Sequence, residues 1–174
     1  MTVKIITNII LIISLAAAQI SLVSGLPGPV GNLNLVLVAL IFILGFSNFA
    51  FAARWMVSLG FLLEVFSFLP FGAYLVSLGF TVMIANFLLN HSFTNRSLYS
   101  FLALTGLTTV IYEIIISFYV LIFRQIDLAG AGKANNFWFS KLEPIGLNLL
   151  LALIIYYIIH FLGRKFKPVF LKKS

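Results

Sequence analysis

Apolar runs of membrane-crossing length, set apart by short polar punctuation, organise this chain. The first run covers about 5–24, and "GLPGPVGN", Gly25–Asn32, follows as an uncharged Pro/Gly turn. A second run covers about 33–52 and stops before Arg54. A third, about 55–69, is short: its 15 residues reach roughly 22 Å at 1.5 Å per residue, against a hydrocarbon core of about 30 Å. Pro70 and Gly72 make a tight joint into a fourth run, about 71–89, and "NHSFTNRS", Asn90–Ser97, is a polar loop. A fifth run covers about 98–123, "RQIDLAGAGKANNFWFSKLEP", Arg124–Pro144, is the long loop, and a sixth covers about 145–162. The runs are continuous rather than alternating over roughly ten residues, which points to helices and not a barrel.

Composition narrows this further. Of the 174 residues, 62% are hydrophobic and 9% charged, where a soluble domain carries about a quarter charged residues. The predicted fold class is therefore all-α, a polytopic membrane protein built as a bundle of six transmembrane helices. It forms a single integral membrane domain, residues 1–174, whose basic cytoplasmic tail is 164–174. Lys4, an apolar core and Ala16–Ala18 give the start a signal-peptide look. The run continues to Leu26, longer than a signal core, and predicts an uncleaved first helix.

Charge sets the topology. With both termini cytoplasmic, the inside holds Lys4, Arg54, Arg96 and the five basic residues of the tail, eight of the eleven Lys and Arg. The outside holds Arg124, Lys133 and Lys141, in a loop that also carries Asp127 and Glu143. That is the positive-inside direction, and it predicts a multi-pass membrane protein. The glycosylation tripeptides "NHS" and "NRS" fall inside and are discounted. The net charge of +7 sits beside the membrane rather than on a folded basic face, so the bilayer is the expected partner and nucleic acid is not. "FWF", Phe137–Phe139, reads as an interfacial aromatic belt or as a docking surface for an extracytoplasmic partner.

Polar residues inside the spans mark the faces turned toward other helices, because lipid cannot satisfy them. Thr105, Thr109, Glu113 and Ser117 recur at every fourth position, as do Asn148, Ala152, Tyr156 and His160. Ala73, Ser77 and Thr81 form a small-residue stripe with a polar edge at Asn86 and Asn90. Gly60, Glu64 and Ser67 share one side of the third span. A charge at mid-membrane costs about 2.5–3.5 kcal/mol, so Glu64 and Glu113 must be protonated, paired or beside water. Arg54 lies ten residues from Glu64, about 15 Å along a helix and too far to pair directly. Two roles stay open for Glu64, a hydrogen bond to the outer joint and a contact with a partner subunit. A neutral, hydrogen-bonded Glu64 would tolerate glutamine. An ion or proton relay would need a chain of ionisable groups, which only Glu113 and His160 could extend.

Enzymatic signals are missing. The chain has no cysteine, two histidines in no metal-binding spacing, no GxSxG elbow and no Gly-rich phosphate loop. The expectation is a non-enzymatic protein with no catalytic, metal-ligating or cofactor-binding residues and no cofactor.

The segment "GFLLEVFSFLPFG" resembles the signature region of the MreD family, small membrane proteins of the bacterial rod-shape elongation machinery. Gly60, Glu64, Pro70 and Gly72 match its glycine, acidic residue four positions on, proline or small residue, and glycine before the next helix. Glu64 stands where the family usually has aspartate. "PVGNLNLVLVALIFILGF" looks like the family's proline-led second helix, and "FTNRSLYSFLALTGLTTVIYE" is similar to its turn into the penultimate core helix. The likeness covers roughly 29–113. It implies a scaffold of the bacterial inner (plasma) membrane, in cell-shape control and peptidoglycan elongation. The scaffold would contact an MreC-like partner and, through it, MreB and the peptidoglycan synthases. Gly60, Glu64, Pro70, Gly72 and Glu113 are the expected structural or partner-contact residues. The rival reading is a substrate-binding membrane subunit of an energy-coupling-factor transporter, whose enclosed polar pocket Glu64, Glu113 and Asn148 could line.

Overall fold

The computed structural model describes residues 2–23, 25–26, 28–93, 97–123 and 137–165. The described residues form an all-α domain of six α-helices: α1 (Thr2–Ala17), α2 (Leu35–Phe46), α3 (Phe49–Val65), α4 (Ala73–His91), α5 (Leu98–Phe123) and α6 (Phe137–Lys165). A π-helical turn, Ala18–Val23, prolongs α1, and a 3-10 turn, Gly28–Asn32, leads toward α2. Among the described residues three segments are long and apolar enough to cross a membrane: Ala73–His91, Leu98–Ile122 and Glu143–Phe161. The outward-facing side chains of α1, α4, α5 and α6 are largely Ile, Leu, Val and Phe, the surface of a helical protein embedded in lipid.

The central helix α2 is apolar on every side and buried through Val36, Leu37, Val38, Leu40, Ile41 and Phe42. α1, α3, α4, α5 and α6 pack around it. The main core joins Leu37, Leu40, Ile41 and Leu44 to Leu59, Leu63, Leu78, Val82 and Leu104. A second cluster stacks Phe42 on Phe101, ring centroids 4.9 Å apart, against Ala152 of α6.

Three boundaries differ from the sequence expectation. The first is the end of the third span: the apolar pattern carries it to about 69 and a tight joint, yet α3 ends at Val65 and the chain turns over Phe66–Gly72 before α4. The apolar pattern carries the second span to 52, yet α2 ends at Phe46 and α3 begins at Phe49. Asn48 supplies the reason: its side-chain oxygen accepts the Phe51 N–H at 2.9 Å, the bond of a helix N-cap. Arg54 marks no boundary. It lies on the exposed side of α3 with its Nε donating to the Ala50 carbonyl and its guanidinium 5.8 Å from the Phe51 ring. The polar pattern carries the long loop to Pro144, but α6 starts at Phe137 and holds Pro144 inside it. The missing N–H of Pro144 removes a single intrahelical bond, and its ring is buried. The side chains of the FWF segment and the basic tail beyond 165 lie outside the described residues, as do Arg96 and the residues 124–136.

These boundaries leave α2 at 12 residues, about 18 Å, and α3 at 17, about 25 Å. Both are shorter than a bilayer core. Side chains of the protein satisfy backbone groups at the turns beside them, Gln19, Asn34 and Asn148 before α2 and Glu64 after α3.

Candidate functional site

Glu64 is the penultimate residue of α3 and only 4% exposed. After α3 the chain turns through Phe66–Gly72 and enters α4, whose N-cap residue, Gly72, has no side chain to offer the first orphan N–H groups. Glu64 supplies the missing acceptor. One carboxylate oxygen, Oε1, accepts the Gly72 N–H at 2.7 Å, and Oε2 accepts the N–H groups of Tyr74 and Leu75 at 3.0 and 3.1 Å. Three backbone donors meet two acceptor oxygens at the positive end of the α4 dipole. Arg54 takes no part, being bonded within α3.

The other signature residues build the same joint. The Pro70 carbonyl accepts the Ala73 N–H at 3.1 Å, closing a turn whose third residue is Gly72. Gly72 has φ 99° and ψ −13°, the left-handed conformation that this position of a type II turn requires. The Tyr119 hydroxyl, from α5, donates to the Phe71 carbonyl at 2.7 Å and would lie 2.5 Å from any Cβ on Gly72. Gly60, one turn before Glu64, lets α4 approach closely: a Cβ there would stand 3.0 Å from Leu75 Cδ2 and 3.4 Å from Leu75 Cα. Gly60, Glu64, Pro70 and Gly72 thus act on one piece of backbone. Glu113 is half-buried on α5.

A second set of side chains secures the start of α2. The Asn34 side chain accepts the Leu37 N–H at 2.9 Å, and Gln19, on the π-helical turn, accepts the Leu35 N–H at 2.7 Å. Gln19 also donates to the Leu33 carbonyl at 3.1 Å. Fully buried Asn148 of α6 accepts the Asn34 N–H at 2.8 Å and donates to Thr109 Oγ1 of α5 at 3.2 Å. One asparagine therefore connects α2, α5 and α6. Gln19 and Asn34 did not stand out in the sequence. The available signal was an amide interrupting an apolar run, and an Asn just ahead of the apolar run of α2.

The inward stripes are partly realised. Thr105, Thr109, Asn148, Ala152, Ser77 and Thr81 are fully buried, while Glu113 and Ser117 are half-buried and His160 is exposed, stacked 6.1 Å from Tyr156. Thr105, Thr108 and Thr109 each return a hydroxyl bond to a carbonyl of their own helix, so they bury polarity at little cost.

Between these two capped joints lies an open cleft of about 970 Å³ at one end of the bundle. Gln19 and Asn34, the α3–α4 turn at Phe66–Leu69, Tyr74, and the Tyr112, Glu113, Ser117 face of α5 form its walls. Glu113 faces it; Glu64 and Asn148, enclosed in their hydrogen bonds, do not line it. A smaller cavity of about 440 Å³ lies around Ser47, Asn48, Asn86 and Asn90, at the opposite end. No cluster of three metal-ligating side chains occurs among the described residues.

Comparison with known proteins returned no match: no family model fits the chain, and no curated protein or solved structure is significantly similar to it.

Proposed function

We propose that this chain is a non-enzymatic, multi-pass membrane scaffold resembling MreD, with six membrane-crossing segments and both termini cytoplasmic. In this reading it works by helix–helix contact with an MreC-like partner and so serves bacterial cell-shape control and peptidoglycan elongation. The observation that carries the reading is the use of Glu64. The most conspicuous acid of the chain has both oxygens engaged in holding its own α3–α4 joint, a constructional task. Gly60, Pro70 and Gly72, the remaining residues of the MreD-like pattern, serve that joint as well. The resemblance therefore rests on four residues with one shared physical purpose. Arg54 falls near the Ser47–Asn48 end of the bundle, the end the charge rule assigns to the cytoplasm, and the α3–α4 joint and the cleft fall at the other.

The test is co-expression with an MreC-like protein from the same organism, followed by co-purification at matched expression. The scaffold reading expects stable co-purification that Glu64→Leu weakens by loosening the joint. An MreC-like protein that never co-purifies with the wild-type chain contradicts it.

One observation favours the second reading, a substrate-binding membrane subunit. The cleft is large enough for a small molecule and presents Glu113, Asn34 and Gln19 toward one space. It is open rather than sealed, and of the three residues expected to line such a pocket only Glu113 does so. Co-purification with a coupling subunit and its ATPases would favour this reading over the scaffold.

A further inference from the structure

Arg54 is exposed on α3, five residues past the helix start at Phe49 and so about 8 Å along the axis. It shares the outward face of α3 with Val57, Phe61 and Val65, all apolar and all more than half exposed. A guanidinium on such a lipid-facing strip is costly to leave without a counter-charge. The chain itself has none to give. Its four acidic residues belong to the other end of the bundle. Glu64 caps α4, Glu113 faces the cleft, and Glu143 of α6 accepts from Asn32 of the cleft wall. Asp127 stands four residues beyond the cleft end of α5 in the sequence. The segments that follow the helices at the Arg54 end, 92–97 and 166–174, contain arginine and lysine but no aspartate or glutamate.

The direction of the side chain shows which counter-charge it is set to meet. Its Nε donates to the Ala50 carbonyl at 3.2 Å, and its guanidinium lies 5.8 Å from the Phe51 ring centroid, both one turn nearer the helix start. The arginine is therefore bent along α3 toward the Ser47–Asn48 turn, whose exposed hydroxyl and carboxamide mark the level of the lipid headgroups. A carboxylate on a neighbouring transmembrane helix would lie level with the strip and draw the guanidinium straight outward. A phosphate at headgroup level draws it the way it is found. The remaining guanidinium N–H groups meet no acceptor among the described residues, and their fork matches two oxygens of a phosphate. With seven further Lys and Arg in the segments at this end (Lys4, Arg96 and the five of the tail) and no acid, a headgroup of net negative charge is favoured. We propose that the outward face of α3 binds an anionic phospholipid of the leaflet at the Ser47–Asn48 end, its phosphate on Arg54 and an acyl chain along Val57, Phe61 and Val65. Only a bilayer around the bundle is required, so the site stands whether or not the chain docks an MreC-like partner.

The experiment uses the purified full chain in phosphatidylcholine bilayers, with Trp55→Phe and Trp138→Phe removing its two tryptophans. A Val57→Trp probe then reports on the lipid beside Arg54, and an Ile154→Trp probe on the lipid beside the exposed face of α6. Quenching by brominated phosphatidylglycerol, compared with brominated phosphatidylcholine, gives the preference for the anionic lipid at each place. Phosphatidylglycerol is expected to be preferred roughly threefold or more at the Val57→Trp probe and less at the Ile154→Trp probe. Arg54→Leu should bring the two lipids within about 1.5-fold of each other at the first probe and leave the second unchanged. Equal preference at the two probes while Arg54 is present overturns the proposal, and that comparison requires no variant of Arg54. A preference at the Val57→Trp probe that survives Arg54→Leu overturns it too. Either result would leave a carboxylate of another membrane chain as the counter-charge of Arg54.

Discussion

Glu64 and Gly72 are joined by a 2.7 Å hydrogen bond from the Gly72 amide to the Glu64 carboxylate, and the same carboxylate accepts the Tyr74 and Leu75 amides. A cap usually comes from the residue that opens the helix. Here it comes from the end of the preceding helix, because the opening residue is a glycine. Glutamine is consequently a poor replacement, against the expectation for a neutral, hydrogen-bonded acid. All three backbone groups are donors, so either orientation of the amide sets its NH₂ against at least one N–H. Glu64→Gln should cost about 1–3 kcal/mol, and Glu64→Leu, which strands all three donors, about 3 kcal/mol or more. Unfolding in detergent measures both.

The Gly72–Tyr119 contact gives a coupled prediction. Gly72→Ala forces a side chain into left-handed backbone, at about 1–2 kcal/mol, and drives a methyl group against the Tyr119 hydroxyl. Tyr119→Phe alone forfeits one hydrogen bond, about 0.5–1.5 kcal/mol. It also removes the atom that the new methyl group would strike. In a double-mutant cycle the pair should be less damaging than the sum of its parts, and simple additivity would show that the hydroxyl does not confine Gly72.

Asn148 makes a similar claim on the other side of the bundle. Asn148→Leu strands the Asn34 N–H and deprives Thr109 of its donor, and should destabilise the chain by about 1–3 kcal/mol. Thr109→Val removes one of those contacts and should cost less, with a smaller effect still once Asn148 is already leucine. Thermal unfolding of the three variants checks the order.

How much of this was legible in the chain differs from residue to residue. Glu64 announced itself as an acid among leucines, and its distance from Arg54 correctly ruled out an ion pair between them. A hydrogen bond to the outer joint was one of the two roles its position suggested, and the structure realises it; that the donors are the backbone N–H groups of Gly72, Tyr74 and Leu75 is something no side-chain pattern records. The α2–α3 boundary was misplaced because Arg54 looked like a stop signal, whereas its long side chain can run along an exposed helix face. The short Ser47–Asn48 pair, a helix-cap signal, carried the true boundary. Asn148 and Thr109 were visible as inward-facing stripes at fourfold spacing. The cleft was invisible because its walls come from segments far apart in sequence, from Gln19 to Pro144.

Topology can be read without disturbing the fold, since the chain contains no cysteine. A single cysteine at Ala129 or at Ser174 can be probed in intact cells with a membrane-impermeant maleimide. An outer connection between α5 and α6 with a cytoplasmic tail predicts labelling of Ala129→Cys and protection of Ser174→Cys until the cells are opened. The reverse pattern would invert the assignment and place the cleft at the cytoplasmic face.

The claim on which the account turns is that the Glu64 carboxylate holds the first amides of α4. Amide hydrogen exchange resolved to Gly72, Tyr74 and Leu75, in the wild-type chain and in Glu64→Leu, addresses it directly. The expected result is protection of these amides in the wild type and its loss by at least about tenfold in the variant, with the middle of α5 unchanged. Equal protection in both proteins would mean that another group caps the helix, and the account would be wrong.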